Sequence, residues 1–193
     1  MNGHSKKVAI INWHPTVFEL IASGGFDNKV NVWNVLTGES YHSFNFQESL
    51  MSLEWNSVGS LLALTTKDKN AHVVDPRANK VETSFKIFDS AKTSKVAWVG
   101  HDSVITTGYG KNNDRQIKLW DLKNTAKEVQ TVSIDTQSGP IQPFYDPDTG
   151  LLFVPGRGEG NIRYYEYSSG SVKIVSEYKS GTSQKSVCFF PKK

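Results

Sequence analysis

One local pattern recurs four times along the 193 residues of this chain. In each copy an acidic residue stands six positions before a bulky apolar residue. The pairs are Asp27/Trp33, Asp68/Val74, Asp114/Trp120 and Glu159/Tyr165, so the apolar members lie 41, 46 and 45 residues apart. A second landmark, at Trp13, Trp55, Trp98 and Tyr145, recurs at intervals of 42, 43 and 47 residues. Two landmarks that keep a similar period indicate a chain built from tandem structural units.

Each unit divides into four short runs with the alternation of a half-buried strand. In the first unit these runs, which we label a to d, are VAIINW, ELIAS, KVNVWN and ESYHSF, with turn residues in GGFDN and TGE between them. The other three units divide in the same way, and none shows helical periodicity. A period in the forties with four strands per unit is typical of β-propeller blades that carry WD repeats. We therefore predict an all-β fold of about four blades plus one extra strand, Ser186 to Phe190.

The whole chain, 1–193, is predicted to be one partial propeller, because no proline-rich or low-complexity linker interrupts it. The sequence ranges predicted for the blades and the following segment are 4–46, 47–88, 89–134, 135–180 and 181–193. Four blades and a strand are expected to form an open arc whose two end blades expose apolar faces and favour association. A closed four-bladed ring is the alternative, although the blade pattern suits a wider ring.

Composition and charge exclude several classes of protein. Hydrophobic residues make up 37% of the chain, which is enough for a core, but no apolar run approaches the ~20 residues of a membrane span. The N-terminal segment lacks the apolar region of a signal peptide. Cys188 is the single cysteine, so we expect no intramolecular disulfide and a cytosolic location. The formal net charge of +3 allows an acidic partner without indicating nucleic acid.

The stretch FVPGRGEGNIRYYEY, residues 153–167, has two readings. Three glycines in five residues suggest a loop that holds a phosphate, and they equally suit a hairpin turn between two strands. A dinucleotide loop requires a helix N-terminus and a βαβ unit, whereas NIRYYEY has the pattern of a strand. GRGEG also aligns with the b–c turns of the other units. We predict a hairpin and no cofactor.

Four residues of the first unit match the hydrogen-bonded tetrad of WD repeats: His4, Ser23, Asp27 and Trp33. Buried carboxylate, imidazole and indole groups each need a partner, and this set supplies them. The same Ser, His and Asp could suggest a hydrolase triad, but no GxSxG turn surrounds the serine. The tetrad is predicted to be incomplete elsewhere. The second unit has Asp68 but Val74, and the third has Thr107, Asp114 and Trp120 without a histidine.

No set of residues predicts a metal site. DPDTG, residues 146–150, resembles the start of a calcium loop but lacks the remaining ligands of an EF-hand, so we predict a turn. The five histidines show no spacing typical of metal ligands. Cys188 lies in the strand-like run SVCFF and is predicted to be a buried small side chain.

Basic residues gather near the predicted b–c turns and form the candidate partner-binding set. They are Lys29, Lys67, Lys69, Lys111, Arg115 and Arg157. Since the b–c and d–a loops of a propeller share one face, these charges could form one basic surface for an acidic filament or complex. Acidic residues lie among them, so ordinary solvated turn charge is an equally good reading.

Several stretches, in order along the chain, resemble the coronins, which are actin-binding WD-repeat proteins. These stretches are VAIINWHPTVFELIASGGFDNKVNVWNVLTGE, DKNAHVVDPRANKV, ITTGYGKNNDRQIKLWDLKN, PFYDPDTGLLFVPGRGEGNIRYYEY and SQKSVCFFPKK. The resemblance implies blades from the interior of a seven-bladed propeller. The family's C-terminal extension and coiled coil are not represented, and neither are its basic N-terminal segment and first blades. No actin-contact residue can therefore be carried over.

The resemblance further implies a non-catalytic scaffold that binds F-actin and the Arp actin-nucleating complex, in the cytoplasm at the actin cytoskeleton and cell cortex. The chain contains no heptad segment, so it encodes no coiled coil. A generic WD-repeat adaptor for another protein is the alternative. A hydrolase that uses His4 and Ser23 is a third reading, against which stands the lack of an activated nucleophile or oxyanion site.

Overall fold

The computed structural model describes residues 2–190, which form sixteen β-strands and no helix. The strands are β1 (Val8–Trp13), β2 (Leu20–Gly25), β3 (Lys29–Asn34), β4 (Ser40–Asn45), β5 (Leu50–Trp55), β6 (Leu62–Thr66), β7 (Asn70–Asp75), β8 (Lys80–Lys86), β9 (Lys95–Trp98), β10 (Ser103–Tyr109), β11 (Arg115–Asp121), β12 (Gln130–Asp135), β13 (Phe144–Asp146), β14 (Leu151–Pro155), β15 (Asn161–Ser168) and β16 (Ser171–Lys179). They make four antiparallel sheets of four strands each, in chain order within each sheet. The predicted all-β architecture is therefore confirmed.

We call the four sheets blades 1 to 4 in chain order. Adjacent strands within each blade form antiparallel hairpins, and their register decides which residues share a face. In blade 1, Ile21 lies opposite Trp33 and Ser23 lies opposite Asn31, so these four residues share one side of the sheet. In blade 4 the glycine-rich stretch joins β14 to β15 as a hairpin, with Gly158 at φ +83. The hairpin prediction for this stretch is confirmed.

The hydrophobic core lies between consecutive blades and consists of three clusters. The first joins blades 1 and 2, around Phe44 and Leu64; the second joins blades 2 and 3, around Phe85 and Trp98; the third joins blades 3 and 4. In the third cluster Tyr165 is 1% exposed. Blades 2 and 3 are thus covered by a neighbouring blade on both faces, which accounts for the continuous apolar runs in their strands.

The innermost strands are linked by a repeated hydrogen bond. The indole Nε1 of Trp55 donates to the carbonyl oxygen of Asn12 at 3.2 Å, and Nε1 of Trp98 donates to that of Glu54 at 3.1 Å. In both cases the acceptor directly precedes the equivalent landmark residue of the previous blade. Trp13 is the first landmark and its side chain is 56% exposed, whereas Trp55 is 6% exposed. Trp55 and Trp98 therefore pack blades 2 and 3 against the blades that precede them.

The arc is open, and apolar side chains of its first blade face solvent. Ile11 is 63% exposed beside Trp13 on β1. The expectation of an exposed apolar end face is confirmed for the first blade. No helix among residues 2–190 is long and apolar enough to cross a membrane.

The predicted extra strand, Ser186 to Phe190, is not a strand in the structure, and this part of the prediction is wrong. A strand requires a neighbouring backbone to complete its ladder, and this segment pairs with none. Phe189 instead stacks on Phe144, with ring centroids 4.7 Å apart, and contacts Phe153 at 5.1 Å. The end of the predicted segment 181–193 lies outside the described residues.

Candidate functional site

The four residues of the predicted tetrad meet in blade 1. Nε1 of Trp33 donates to Ser23 Oγ at 2.7 Å, and Ser23 Oγ lies 2.7 Å from His4 Nε2. Nδ1 of His4 lies 2.9 Å from Asp27 Oδ1, and the backbone N–H of Ser5 donates to Oδ2 of the same carboxylate at 2.9 Å. If Ser23 donates to Nε2, the imidazole carries its proton on Nδ1 and every group is satisfied. The chain leading into β1 is thereby tied to the β2–β3 turn.

Close packing at this turn requires Gly25. A Cβ on Gly25 would lie 2.4 Å from Asp27 Oδ1 and 2.6 Å from His4 Nδ1, which is too close for any real side chain. Burial acts to raise the pKa of Asp27, but the hydrogen bonds from His4 and Ser5 outweigh it and hold that pKa below its ordinary value. Ser23 is buried, and its hydroxyl is held by the two rings. This arrangement suits a structural link better than a nucleophile open to substrate.

In blade 3 the residue that accepts the indole proton is Thr106, so the expectation for Thr107 is wrong. Nε1 of Trp120 donates to Thr106 Oγ1 at 2.9 Å, while Thr107 Oγ1 donates to the carbonyl of Ile141 in the next blade at 3.0 Å. Successive residues of a strand point to opposite faces, so only one of two adjacent threonines can face the tryptophan. Asp114 accepts hydrogen bonds from Ser133 and Gln116, which lower its pKa.

Blade 2 carries a polar network that the sequence analysis missed. Thr66 Oγ1 donates to Asp68 and lies 3.0 Å from His72 Nε2, while His72 Nδ1 lies 2.7 Å from Ser84 Oγ. His72 stands two positions before Val74, which occupies the place of the tryptophan and is fully buried. Burial lowers the pKa of His72 despite the nearby Asp68. A polar residue two positions before the apolar landmark was the signal that could have revealed this network.

Arg115 is not a surface residue, so its assignment to the candidate partner-binding set is wrong. Its side chain is 0% exposed. Nε and Nη2 donate to the two carboxylate oxygens of Asp135 at 2.6 and 2.5 Å, and Nη1 donates to Glu159 and, at 3.0 Å, to the carbonyl of Gly139. Arg163 reaches the same two carboxylates, at 2.9 and 3.4 Å. A guanidinium buried with two carboxylates is strongly paired and unavailable to a partner.

The other five basic residues of the candidate set lie along one edge of the arc, which we call the upper rim. It consists of the b–c turns together with the loops that lead from strand d of one blade to strand a of the next. Backbone hydrogen bonds join the two kinds of loop, for example from Phe46 N to Asn28 O at 2.8 Å and from Ile87 N to Lys69 O at 2.9 Å. The rim residues are Lys29, Lys67, Lys69, Lys111 and Arg157, of which Lys67, Lys111 and Arg157 are exposed. None of the five forms an ion pair within residues 2–190.

Most acidic residues of the upper rim are engaged in hydrogen bonds within the chain. Asp27 is bound by His4, Asp68 by Thr66 and Asn70, Asp114 by Ser133 and Gln116, and Asp135 and Glu159 by Arg115 and Arg163. Burial opposes ionisation of Asp68 and Asp135, but these bonds still lower the pKa of both carboxyls. Acidic and basic residues alternate along the sequence, yet these five acids are held by partners within the chain, whereas Lys67, Lys111 and Arg157 are exposed.

No metal site emerges from the described part of the chain. It contains no group of three or more His, Cys, Asp or Glu side chains placed to hold an ion. DPDTG forms the turn between β13 and β14, where Asp146 accepts hydrogen bonds from the Asp148 N–H at 3.2 Å and the Thr149 hydroxyl at 2.7 Å.

Cys188 is exposed, so the prediction of a buried thiol is wrong. Its segment lacks the neighbouring strand that would cover the side chain.

Comparisons with known proteins agree with this architecture. The family model described as WD domain, G-beta repeat matches residues 1–34. Coronin-2A of Homo sapiens is 39% identical over 99% of this chain, and the coronin-like protein crn1 of Schizosaccharomyces pombe is 36% identical over 100% of it. The crystal structure of the WD40 domain from Toxoplasma gondii coronin superimposes with a TM-score of 0.94 at 41% identity, over 96% of this chain and 49% of that one. The chain spans 38% and 32% of the human and yeast proteins.

Proposed function

This chain is a coronin-family homologue, and we propose that it is a non-catalytic scaffold that binds actin filaments through the basic upper rim. The observation that carries the proposal is a difference between the two kinds of charge on the upper rim. Asp68, Asp114 and Glu159 are bound within the chain, whereas Lys67, Lys111 and Arg157 are exposed and form no ion pair among residues 2–190. Such a surface attracts acidic partners, and the attraction becomes stronger as the ionic strength falls.

The scaffold role is also supported by the state of the reactive groups. Ser23 and His4 are held in the tetrad, and the Asp27 side chain is 3% exposed. A hydrolase would need an accessible nucleophile and a site that stabilises the developing oxyanion. We therefore assign the tetrad to stability and the rim to binding.

Membership of the coronin family also suggests a cellular location and a second partner. We place the chain at the actin cytoskeleton and cell cortex, with the Arp actin-nucleating complex as a second partner. The proposed blades run over residues 4–46, 47–88, 89–134 and 135–180. They act as an interaction platform with no cofactor.

The direct test is co-sedimentation of the purified, monodisperse chain with F-actin across a salt series. We expect pelleting at low salt that declines as salt rises. The double variant Lys67→Glu, Lys111→Glu is expected to weaken binding by about tenfold, because it replaces two exposed positive charges by negative ones. Lys127→Glu is the matched control, since Lys127 is an exposed lysine in the loop between β11 and β12, outside the upper rim.

Two outcomes would contradict the proposal. If the folded chain stays in the supernatant at low salt, these blades carry no actin contact of their own. If the control variant weakens binding as much as the rim variant, the contact lies elsewhere. An affinity capture that recovers a different protein and no actin would favour the generic adaptor reading.

A further inference from the structure

We propose that a pocket between blades 3 and 4 binds a short acidic peptide that carries apolar side chains. The pocket has a volume of about 570 Å³ and opens among strand β9, the β14–β15 turn and the segment after β16. That volume lies within the usual range of ligand sites, about 300–1,000 Å³. Arg157 belongs to both the upper rim and the pocket, so the two proposals share one residue, and the peptide probe tests the pocket in the absence of actin.

Three cations line the pocket: Lys95, Arg157 and Lys185. No carboxylate lines it. The acidic residues of the adjacent loops, Asp135 and Glu159, are already bound by arginines that do not line it. An anion that enters the pocket therefore meets unopposed positive charge in a partly enclosed space, where electrostatic attraction is stronger than in open water.

The three cations differ in how firmly they are held. Nζ of Lys95 donates to the carbonyl of Met51 in blade 2 at 2.7 Å, which leaves ammonium protons available to a ligand. Partial burial lowers the pKa of Lys95. Arg157 and Lys185 are exposed and form no ion pair with any residue between 2 and 190. One anchored cation and two free ones suit recognition of several acidic groups along a peptide.

The walls of the pocket are set by backbone hydrogen bonds. Arg157 N donates to Pro140 O at 3.0 Å, which joins the loop before β13 to the β14–β15 turn. Gln184 fixes the segment after β16 to the β14–β15 turn. Its backbone N–H donates to Glu159 O at 2.8 Å, and its carbonyl accepts from Gly158 N at 2.8 Å. Its side-chain Nε2 donates to Gly156 O at 3.2 Å. Because these walls are already fixed, few side chains or loops lose conformational freedom when a ligand binds. More of the contact energy therefore appears as affinity.

The apolar part of the lining favours a peptide over a bare polyanion. Pro140, Pro155 and Val187 border the pocket together with the three cations. A sugar phosphate would leave these surfaces uncovered, whereas a peptide that alternates acidic and apolar residues would contact both kinds of lining. The mixture of charge and apolar surface thus indicates the class of ligand.

The test is fluorescence anisotropy with the purified chain and a fluorescein-labelled peptide in which aspartate alternates with leucine. We expect saturable binding that weakens with salt. The double variant Arg157→Glu, Lys185→Glu should weaken it by at least about tenfold, because two attractive charges become repulsive. Lys7→Glu is the control, since Lys7 is an exposed lysine beside the β2–β3 turn of blade 1, away from the pocket.

Two further peptides test the two halves of the recognition. A peptide with lysine in place of aspartate should not bind, and one with serine in place of leucine should bind several-fold more weakly. The proposal is overturned if the parent peptide does not bind, if the pocket variant binds it as tightly as the unaltered chain, or if Lys7→Glu weakens it equally. Tight binding of the serine peptide would overturn the apolar contribution. Matching urea midpoints for all variants establish that each one is folded.

Discussion

Arg115 of blade 3 donates from Nη1 to the carboxylate of Glu159 in blade 4, across 44 positions of sequence. Glu159 occupies the repeat position that Asp27 occupies in blade 1, where the partner is a histidine from the chain leading into the same blade. The acidic residue of the b–c turn thus serves a different purpose in each setting. In blade 1 it ties a loop to its own blade, and in blade 4 it ties two blades together.

Arg115→Met should destabilise the chain by about 2–4 kcal/mol. The substitution keeps much of the side-chain volume but leaves Asp135 and Glu159 partly buried with only Arg163 between them. Urea unfolding measures the effect. The control is Lys80→Ala, which breaks an exposed pair with Glu82 and should change stability by less than about 1 kcal/mol. Equal losses in the two variants would contradict the importance of the buried network.

Ser23→Ala should destabilise the chain by about 1–3 kcal/mol. Removal of the hydroxyl leaves the indole N–H of Trp33 and the imidazole Nε2 of His4 without their partner inside the protein. Thermal and urea unfolding report the loss. Ser43→Ala is the control because Ser43 is exposed on β4, and its replacement should be nearly neutral. An unchanged midpoint for Ser23→Ala would show that the tetrad does not stabilise the fold.

Glu54 should make stability fall as pH rises. Burial raises the pKa of Glu54 to about 8 from an ordinary value of 4.5. Between these two values the unfolded chain releases the proton while the folded chain retains it, so stability declines with rising pH and levels off above the folded pKa. Glu54→Gln should match the unaltered chain at pH near 5 and exceed it by about 1–3 kcal/mol near pH 9.

Urea unfolding at the two pH values tests this expectation. Glu48→Gln is the matched control, because Glu48 is an exposed glutamate in the loop before β5. It should leave the pH dependence unchanged. Parallel pH profiles for Glu54→Gln and the unaltered chain would contradict the prediction.

Trp13 and Trp55 occupy equivalent repeat positions but should respond differently to replacement by alanine. Trp55 is packed between blades 1 and 2, so Trp55→Ala should destabilise the chain by about 3–5 kcal/mol. Trp13 is exposed on the end face, so Trp13→Ala should have a small effect on stability and reduce self-association. Sedimentation velocity over a concentration series measures association, and urea unfolding measures stability. Equal destabilisation by the two changes would contradict an open first face.

The sequence alone predicted the strands of all four blades, because alternation and turn residues act within a few positions. The match of four residues to the tetrad of WD repeats also predicted which side chains of blade 1 would meet. The prediction failed for Thr107 because adjacent residues of a strand point to opposite faces of the sheet. An error of one position in the register therefore exchanges Thr106, which bonds to Trp120, for Thr107, which bonds to the next blade. The sequence analysis missed the His72 network as well, because the partners of His72, Thr66 and Ser84, lie on the two neighbouring strands and its spacing from Val74 does not identify them.

What the sequence by itself determined is the repeat: its period, its four-stranded unit and the apolar residues that pack one blade on the next. What only the tertiary structure decided is which charged side chains are buried in ion pairs and which are exposed to solvent. Arg115 and Lys111 lie four positions apart in the same turn region, yet one is buried and the other exposed. The difference arises because Asp135 lies directly opposite Arg115 on the neighbouring strand β12 and Glu159 reaches it from blade 4. A charge can be buried only where such partners converge.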